Sequence, residues 1–446
     1  MQLTNSPRSI AVVGGGVAGL GAAWLLSRHH QVTLYDTEAH FGGHANTVEI
    51  VLDGNTVPVD TGFIVYNELN YPNLVALFRE LGVETVASEM SFGISLDDGR
   101  LEYSGSNANS LFAQRRNLLR PRFWRMLRDI RRFYSSAAGY RETITSSCSI
   151  SELLDRERYS EAFVDDHLVP MAAAIWSASR KDIRNYPADA FIRFFDNHGL
   201  LNLGQRPQWH TVKGGSREYV ARLLADSKVK LAAATGVAKV TREKNGVRLA
   251  AVDGSVEMYD EVVIATHADQ ALSLLDDADE TERSVLGAFD YSSNRAWLHT
   301  DESFMPRRRA AWSSWNYIQE PARASSAPLC VSYWMNRLQA LPGGHEIFVT
   351  LNPGRAPDEG QVYGCFDYDH PIFTAATSFQ QERSTLIQGR RHTWFCGSYF
   401  GHGFHEDALQ SGLWAAEQLG ARRPWGGDSE FDRLPVTYRE KISFAA

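Results

Sequence analysis

The sequence predicts an α/β protein of two domains, organised around a Rossmann-type dinucleotide-binding unit. The first observation is a complete strand–turn–helix–strand–acid succession near the start. The β-run Ile10 to Val13 feeds Gly14-x-Gly16-x-x-Gly19, an apolar helical segment continues to Ser27, and a second β-run, Gln31 to Tyr35, ends on Asp36. The second is size, since 446 residues exceed what one compact domain ordinarily holds. The third is order: strand-like runs resume at Val229 to Ala232, Val237 to Val240 and Val247 to Ala251, after a stretch from about Asn67 to Leu203 that reads as mainly helical.

Each residue of the first unit has a physical role. Gly14 allows the tight turn, Gly16 lets the backbone approach a pyrophosphate, and Gly19 lets the helix pack close to the strand. Val17 and Ala18 begin the helix, whose free N–H groups and positive dipole end face the phosphates. Asp36 can accept hydrogen bonds from an adenosine ribose. A signal peptide, a membrane anchor and a ligand-free packing turn are the competing readings. The glycines at nucleotide spacing, the lack of a small-residue cleavage site and the acid-terminated β-run favour the nucleotide site.

Composition narrows the setting. A hydrophobic content of 43% with 22% charged residues is ordinary for a globular enzyme, and a net charge of −8 gives no reason to expect nucleic acid as a partner. Cys148, Cys330, Cys365 and Cys396 are far apart and form no CxxC, which predicts neither a disulfide framework nor a zinc site and fits a reducing cytoplasm.

After Asp36 come Gly42-Gly43-His44, a β-run from Val48 to Val51, a turn at Asp53-Gly54-Asn55, and Asp60-Thr61-Gly62. A strand-end acid followed by Gly-Gly and then Asp-x-Gly resembles the flavin-containing amine oxidase superfamily. That group includes monoamine and polyamine oxidases, protoporphyrinogen oxidase and the phytoene desaturases. In the family the Gly-Gly loop runs beside the FAD pyrophosphate and is usually followed by Arg, where this chain has His44.

Between Arg115 and Arg132 lie eight arginines (115, 116, 120, 122, 125, 128, 131 and 132) opposed only by Asp129. From Pro121, a good first helical residue, Phe123, Leu127, Ile130 and Tyr134 fall on one helical face. A basic amphipathic helix with Trp124 and Phe123 on the apolar side is the pattern of an interfacial helix on an anionic membrane. An ordinary solvated helix packed by its apolar stripe is the alternative. Nucleic acid is the weakest option, since no reading module accompanies the arginines.

The run Trp209 to Ser216, with Gly214-Gly215, opens a helix through Leu224 and resembles the family's return to the FAD domain. By the same resemblance the backbone at Val237 contacts adenine, and Tyr259 to Thr266 is a strand ending against the cofactor. From His267 to about Arg390 the resemblance fades into an aromatic-rich half, and no Lys occurs between Lys244 and Lys441. Amine oxidases usually place a Lys near the flavin from this region. The pattern returns at Thr393 to Gly397 and Phe404 to Gly412, which resemble the second FAD signature. Gly397, Glu406, Asp407 and Ala408 are its cofactor residues, and Phe404, Tyr399 and His405 are the flavin-face, catalytic candidates. Phe404 falls where amine oxidases place one Tyr of their aromatic cage. His402 and His405 lack a third convergent ligand, so no metal is expected.

The resemblance implies a discontinuous, glutathione-reductase-like FAD-binding domain from residues 1–66, 204–270 and 390–422. A mixed α+β substrate domain is inserted from 67–203 and 271–389, and 423–446 form a C-terminal tail. It implies non-covalent FAD and oxidation by hydride transfer to flavin N5. Bacterial relatives with the combined Gly-Gly-His and Phe-His-Glu-Asp-Ala patterns resemble flavoproteins associated with cyclopropane and methyl-branched fatty acids. The basic amphipathic helix, the aromatic-rich half, the missing Lys and Phe404 together lead to the expectation that an apolar small molecule or a phospholipid acyl chain is dehydrogenated. The protein is expected in the cytoplasm, peripheral on the inner face of the membrane through Arg115–Arg132. A soluble amine oxidase, a redox-neutral lipid isomerase and a non-catalytic flavin-binding partner are the alternatives.

Overall fold

The computed structural model describes residues 6–145, 148–176, 179–197, 199–201, 207–319 and 329–426. Residues 427–446 of the expected tail lie outside them. Five parallel strands form the nucleotide-side sheet, in the order Lys230–Ala232, Gln31–Tyr35, Ser9–Val13, Glu261–Ile264, Thr393–Phe395. Parallel strands must be covered on both faces, and their near-continuous Val, Ile and Leu content reflects this. The helix Val17–Leu26, buried at every position, lies against the sheet.

The C-terminal helix His405–Gln418 crosses Val17–Leu26 at very short range. A Cβ on Gly412 would stand 2.0 Å from the Ala18 carbonyl oxygen, and one on Gly21 would stand 2.6 Å from a Leu409 methyl group. Two glycines thus set the approach of the two helices, and Val17 and Ala18 of one and His405 and Ala408 of the other line one cavity.

A seven-stranded mixed sheet forms the second body, in the order Val362–Pro371, Tyr291–His299, Phe348–Leu351, Cys330–Trp334, Trp315–Gln319, Phe92–Leu96, Leu101–Ser104. Its one parallel pairing joins Trp315–Gln319 to Phe92–Leu96. Helices between Pro121 and Asn197 pack on it around Phe133, Phe163, Phe191 and Phe195. The α/β class with a second mixed domain is therefore as the sequence predicted.

The segment 67–203 is mainly helical, as expected, but it also holds the strands Thr85–Ser88, Phe92–Leu96 and Leu101–Ser104, the last two joined through a turn with positive φ at Asp97, Asp98 and Gly99. The core around the parallel sheet also draws on residues beyond 66 and 270. Leu74, Leu77 and Phe78 of the helix Pro72–Leu81 belong to the core around the parallel sheet, as do Val285 and Leu286 of Glu280–Leu286. The tail begins as part of this body, with Trp425 stacked on Trp24 at 5.9 Å and Arg423 bonded to Glu417 and Asn73.

Candidate active site

The glycine turn is built as its spacing requires. Gly14 has φ +107°, and its N–H donates to the Tyr35 carbonyl at 2.9 Å. A Cβ on Gly19 would stand 1.9 Å from the Gly14 carbonyl oxygen, whereas a Cβ on Gly16 would meet nothing within 4 Å. Gly19 is thus a packing glycine, and Gly16 faces open space at the helix N-terminus. The Gly42-Gly43 loop lies directly on this turn: the Gly42 N–H donates to the Gly15 carbonyl at 2.8 Å, and a Cβ on Gly43 would sit 3.2 Å from Gly16 Cα. Asp36 closes the corner, accepting from the Gly15 N–H at 2.5 Å and the Glu38 N–H at 2.8 Å.

From this turn a cavity of about 1260 Å³ extends into the second body. Ordinary ligand cavities span roughly 300–1,000 Å³, so this one has room for a dinucleotide and a further molecule. Gly14, Gly16, Val17, Ala18, Asp36, Gly42, Gly43, His44, Val237, Gly397, Ala408, Tyr399, Phe404 and His405 all line it. Among the expected site residues, Gly19, Glu406 and Asp407 do not.

The two acids have other work. Asp407 accepts from the His402 and Phe404 N–H groups at 3.0 and 2.9 Å, capping its own helix. Glu406 accepts from the Asn73 N–H, Asn73 Nδ2 and Leu74 N–H at 2.9, 2.8 and 3.0 Å, which fastens the start of Pro72–Leu81. Burial pushes the Glu406 carboxyl up to about 7. The C-terminal helix therefore offers the cavity its N-terminal dipole rather than these carboxylates.

Of the three flavin-face candidates, Phe404 stacks on Phe194 at 4.9 Å and forms a wall between the two bodies. Tyr399 is buried against Phe289 and Phe400. His405 stacks on Phe63 at 3.9 Å, and its Nε2 lies 2.7 Å from the Tyr219 hydroxyl. Burial lowers His405 to about 3, so it stays neutral and is a poor proton carrier.

Six histidines line the cavity, and no Lys, Arg or Cys does among the described residues. The sequence reading missed His267 and His370. His267 directly follows the Ala265-Thr266 strand end and was findable from it. His370 comes from the far end of Val362–Pro371 and carries no local signal. Beyond them the wall turns apolar, with Leu127, Ile130, Tyr134, Met171, Ile175 and Phe194. No group of three or more His, Cys, Asp or Glu among the described residues could hold a metal ion.

The arginine-rich helix Pro121–Tyr140 forms part of this wall. Phe123, Met126, Phe133 and Ala137 are in the core, and Leu127, Ile130 and Tyr134 face the cavity. Arg125, Arg128 and Arg131 are exposed. Trp124 does not share the face of Phe123; it is 49% exposed, near Leu118 at 46% and Leu119 at 87%. Arg122 is exposed too, but its guanidinium is already engaged, bonding the buried Asp166 at 2.7 Å.

A family model described as flavin containing amine oxidoreductase matches residues 17–361. The carotenoid phi-ring synthase of Streptomyces griseus is 40% identical over 82 residues, a match spanning 18% of this chain and 16% of that protein. Among solved structures, the CLA-producing fatty acid isomerase from P. acnes superimposes with a TM-score of 0.65 at 15% identity, over 94% of this chain and 99% of the other. A putrescine oxidase bound to putrescine gives 0.65 at 14% identity, over 93% and 99%. At these identities the structures speak for the fold.

Proposed function

Because the chain belongs to the flavin-containing amine oxidoreductase family and is an FAD-dependent oxidoreductase, we propose that it dehydrogenates an apolar chain, such as a fatty acyl or methyl-branched or unsaturated lipid. The cavity fits the cofactor at its glycine end, where Gly16 leaves space and two helix N-termini converge. FAD bound there supplies the two-electron acceptor. The observation that carries the substrate reading is the other end. The wall from Leu127 to Phe194 offers an alkyl chain continuous apolar contact, and the carboxylates that line the cavity lie elsewhere and are engaged: Asp36 bonds the glycine turn, Glu89 pairs with Arg337, and Asp369 lies beside His267 and His370. Phe404 and Phe194 orient the chain by packing, and His405, held by Tyr219 and Phe63, gives a neutral surface that excludes water.

Oxidised protein mixed anaerobically with lipid extracts should lose its visible flavin absorbance, and simple amines should leave it unchanged. Bleaching by amines alone overturns the proposal. Bleaching by neither, with altered double bonds in the recovered lipid, would instead mark the redox-neutral isomerase.

The same wall suggests how a lipid enters. No helix among the described residues is long and apolar enough to cross a membrane, but Pro121–Tyr140 joins the cavity to an outer face of arginines with Leu118, Leu119 and Trp124. An anionic bilayer matches that face, at about 1 kcal/mol per arginine near the surface. Vesicles with anionic headgroups should bind the protein, with affinity falling as salt rises. Reversing Arg125, Arg128 and Arg131 to Glu should abolish binding and leave the flavin spectrum intact. Equal binding to neutral vesicles, or none to either, counts against a membrane role.

A further inference from the structure

The FAD pyrophosphate brings two negative charges to a cavity lined, among the described residues, by no Lys or Arg. Helix N-termini supply part of the balance through partial charges. The remaining cavity groups able to carry positive charge are imidazoles. Two follow segments that touch the glycine turn. His44 comes directly after Gly43, which rests on Gly16, and His267 comes after Thr266, whose nitrogen would stand 3.2 Å from a Cβ on Gly14. A third, His370, has its ring 5.4 Å from that of His44. Three separate segments therefore bring histidines to the place where the cofactor's charge belongs.

Their hydrogen bonding distinguishes them. Asn294 Nδ2 donates to His370 Nδ1 at 3.1 Å, which leaves the neutral His370 its proton on Nε2 as a donor. The His267 ring stacks on Tyr291 at 4.5 Å. His44 Nε2 is buried and has no hydrogen-bond partner among the described residues. An orphaned buried nitrogen is costly, and a phosphate oxygen would satisfy it.

We propose that His44, flanked by His267 and His370, is the countercharge of the FAD pyrophosphate, and that a proton enters its Nε2 when the cofactor binds. The groups facing the three rings favour this arrangement. Asp369 lies beside His267 and His370, Asp269 beside His267, and Tyr368 has its ring 4.9 Å from His44. Without an anion, burial and mutual repulsion with His370, His267 and His405 hold His44 well below the usual histidine range. A bound dianion acts in the opposite direction. The proton is therefore taken up on binding, and affinity must fall as pH rises.

The test is dilution of the yellow holoprotein into buffers between pH 6 and 9, read by the fluorescence of released FAD. Calorimetric rebinding in buffers of different ionisation heat reports proton uptake. The wild type should take up about one proton and lose up to about tenfold in affinity per pH unit. His44→Arg should bind FAD without pH dependence or uptake, and His44→Gln should bind weakly without uptake. Glu406→Gln, which removes a buried carboxyl raised to about 7, should keep the uptake. Flat wild-type affinity without uptake, or uptake that persists in His44→Gln, overturns the proposal. Failure to bind FAD at every pH would overturn the cofactor site as well.

Discussion

Gly16→Val should give a folded, colourless protein, and Gly19→Val no folded protein. The two glycines stand three residues apart in one motif, yet a side chain at each meets different surroundings. At Gly16 the backbone has φ −70° and ψ 177°, which any residue adopts, and a Cβ meets nothing within 4 Å. A valine fits the fold and occupies space the pyrophosphate needs. Losing that approach and its N–H bonds is worth about 4 kcal/mol, or about a thousandfold in FAD affinity. At Gly19 a Cβ would stand 1.9 Å from the Gly14 carbonyl oxygen, and backbone cannot move aside without parting helix from sheet. Circular dichroism and flavin absorbance of the two purified variants decide the matter. A yellow Gly19→Val or an unfolded Gly16→Val would show that the two roles are assigned wrongly.

The next largest effect is expected at Asp60, the first residue of Asp60-Thr61-Gly62. Its buried carboxylate accepts from the Ser216 N–H and hydroxyl at 2.9 and 2.7 Å, the Thr47 hydroxyl at 2.6 Å and Gln339 Nε2 at 2.9 Å. It thereby ties the hairpin Thr47–Asp60 to the start of Arg217–Asp226 and to the end of Met335–Leu338. Asp60→Ala leaves several buried donors unmatched at about 1–3 kcal/mol each, so a loss on the order of 4 kcal/mol or more is expected in thermal or denaturant unfolding. The wild type should also show a pH signature. Burial raises the Asp60 carboxyl from 3.8 to about 6 in the folded protein. Its contribution to stability is fully present below pH 3.8 and is lost as pH rises through about 6, an effect of about 3 kcal/mol. Asp60→Ala should lack that fall. An identical pH profile in both proteins would mean that Asp60 does not titrate in this window.

The nucleotide site was legible because its physics is local. Strand, turn, helix and acid lie within residues 9–36, and each glycine's role follows from its spacing. The C-terminal signature was legible for a different reason, its likeness to a known family. Residues whose roles depend on distant partners could not be read. Nothing near Glu406 signals that Asn73 will take its carboxylate, and nothing near His370 signals that it will stand beside His44. The arginine-rich helix was half legible. Its period placed Leu127, Ile130 and Tyr134 on one face, but whether that face met core or cavity depended on helices 40 to 70 residues later. Arg122, though exposed, is tied down by the buried Asp166, a pairing no spacing encodes.

Because Val17–Leu26 is covered by His405–Gln418, the protein is exposed while it is being made. Ala18 leaves the ribosome about 400 residues before Gly412, the residue that packs against it. At about 5–20 residues per second, the interval is about 20–80 s. Throughout that time Val17–Leu26, buried at every position in the finished protein, lacks the helix that covers it. Synthesis should therefore depend on chaperones that shield the nascent N-terminal segment. Emergence of His405–Gln418, rather than emergence of the glycine turn, should set the moment at which the chain first acquires its colour.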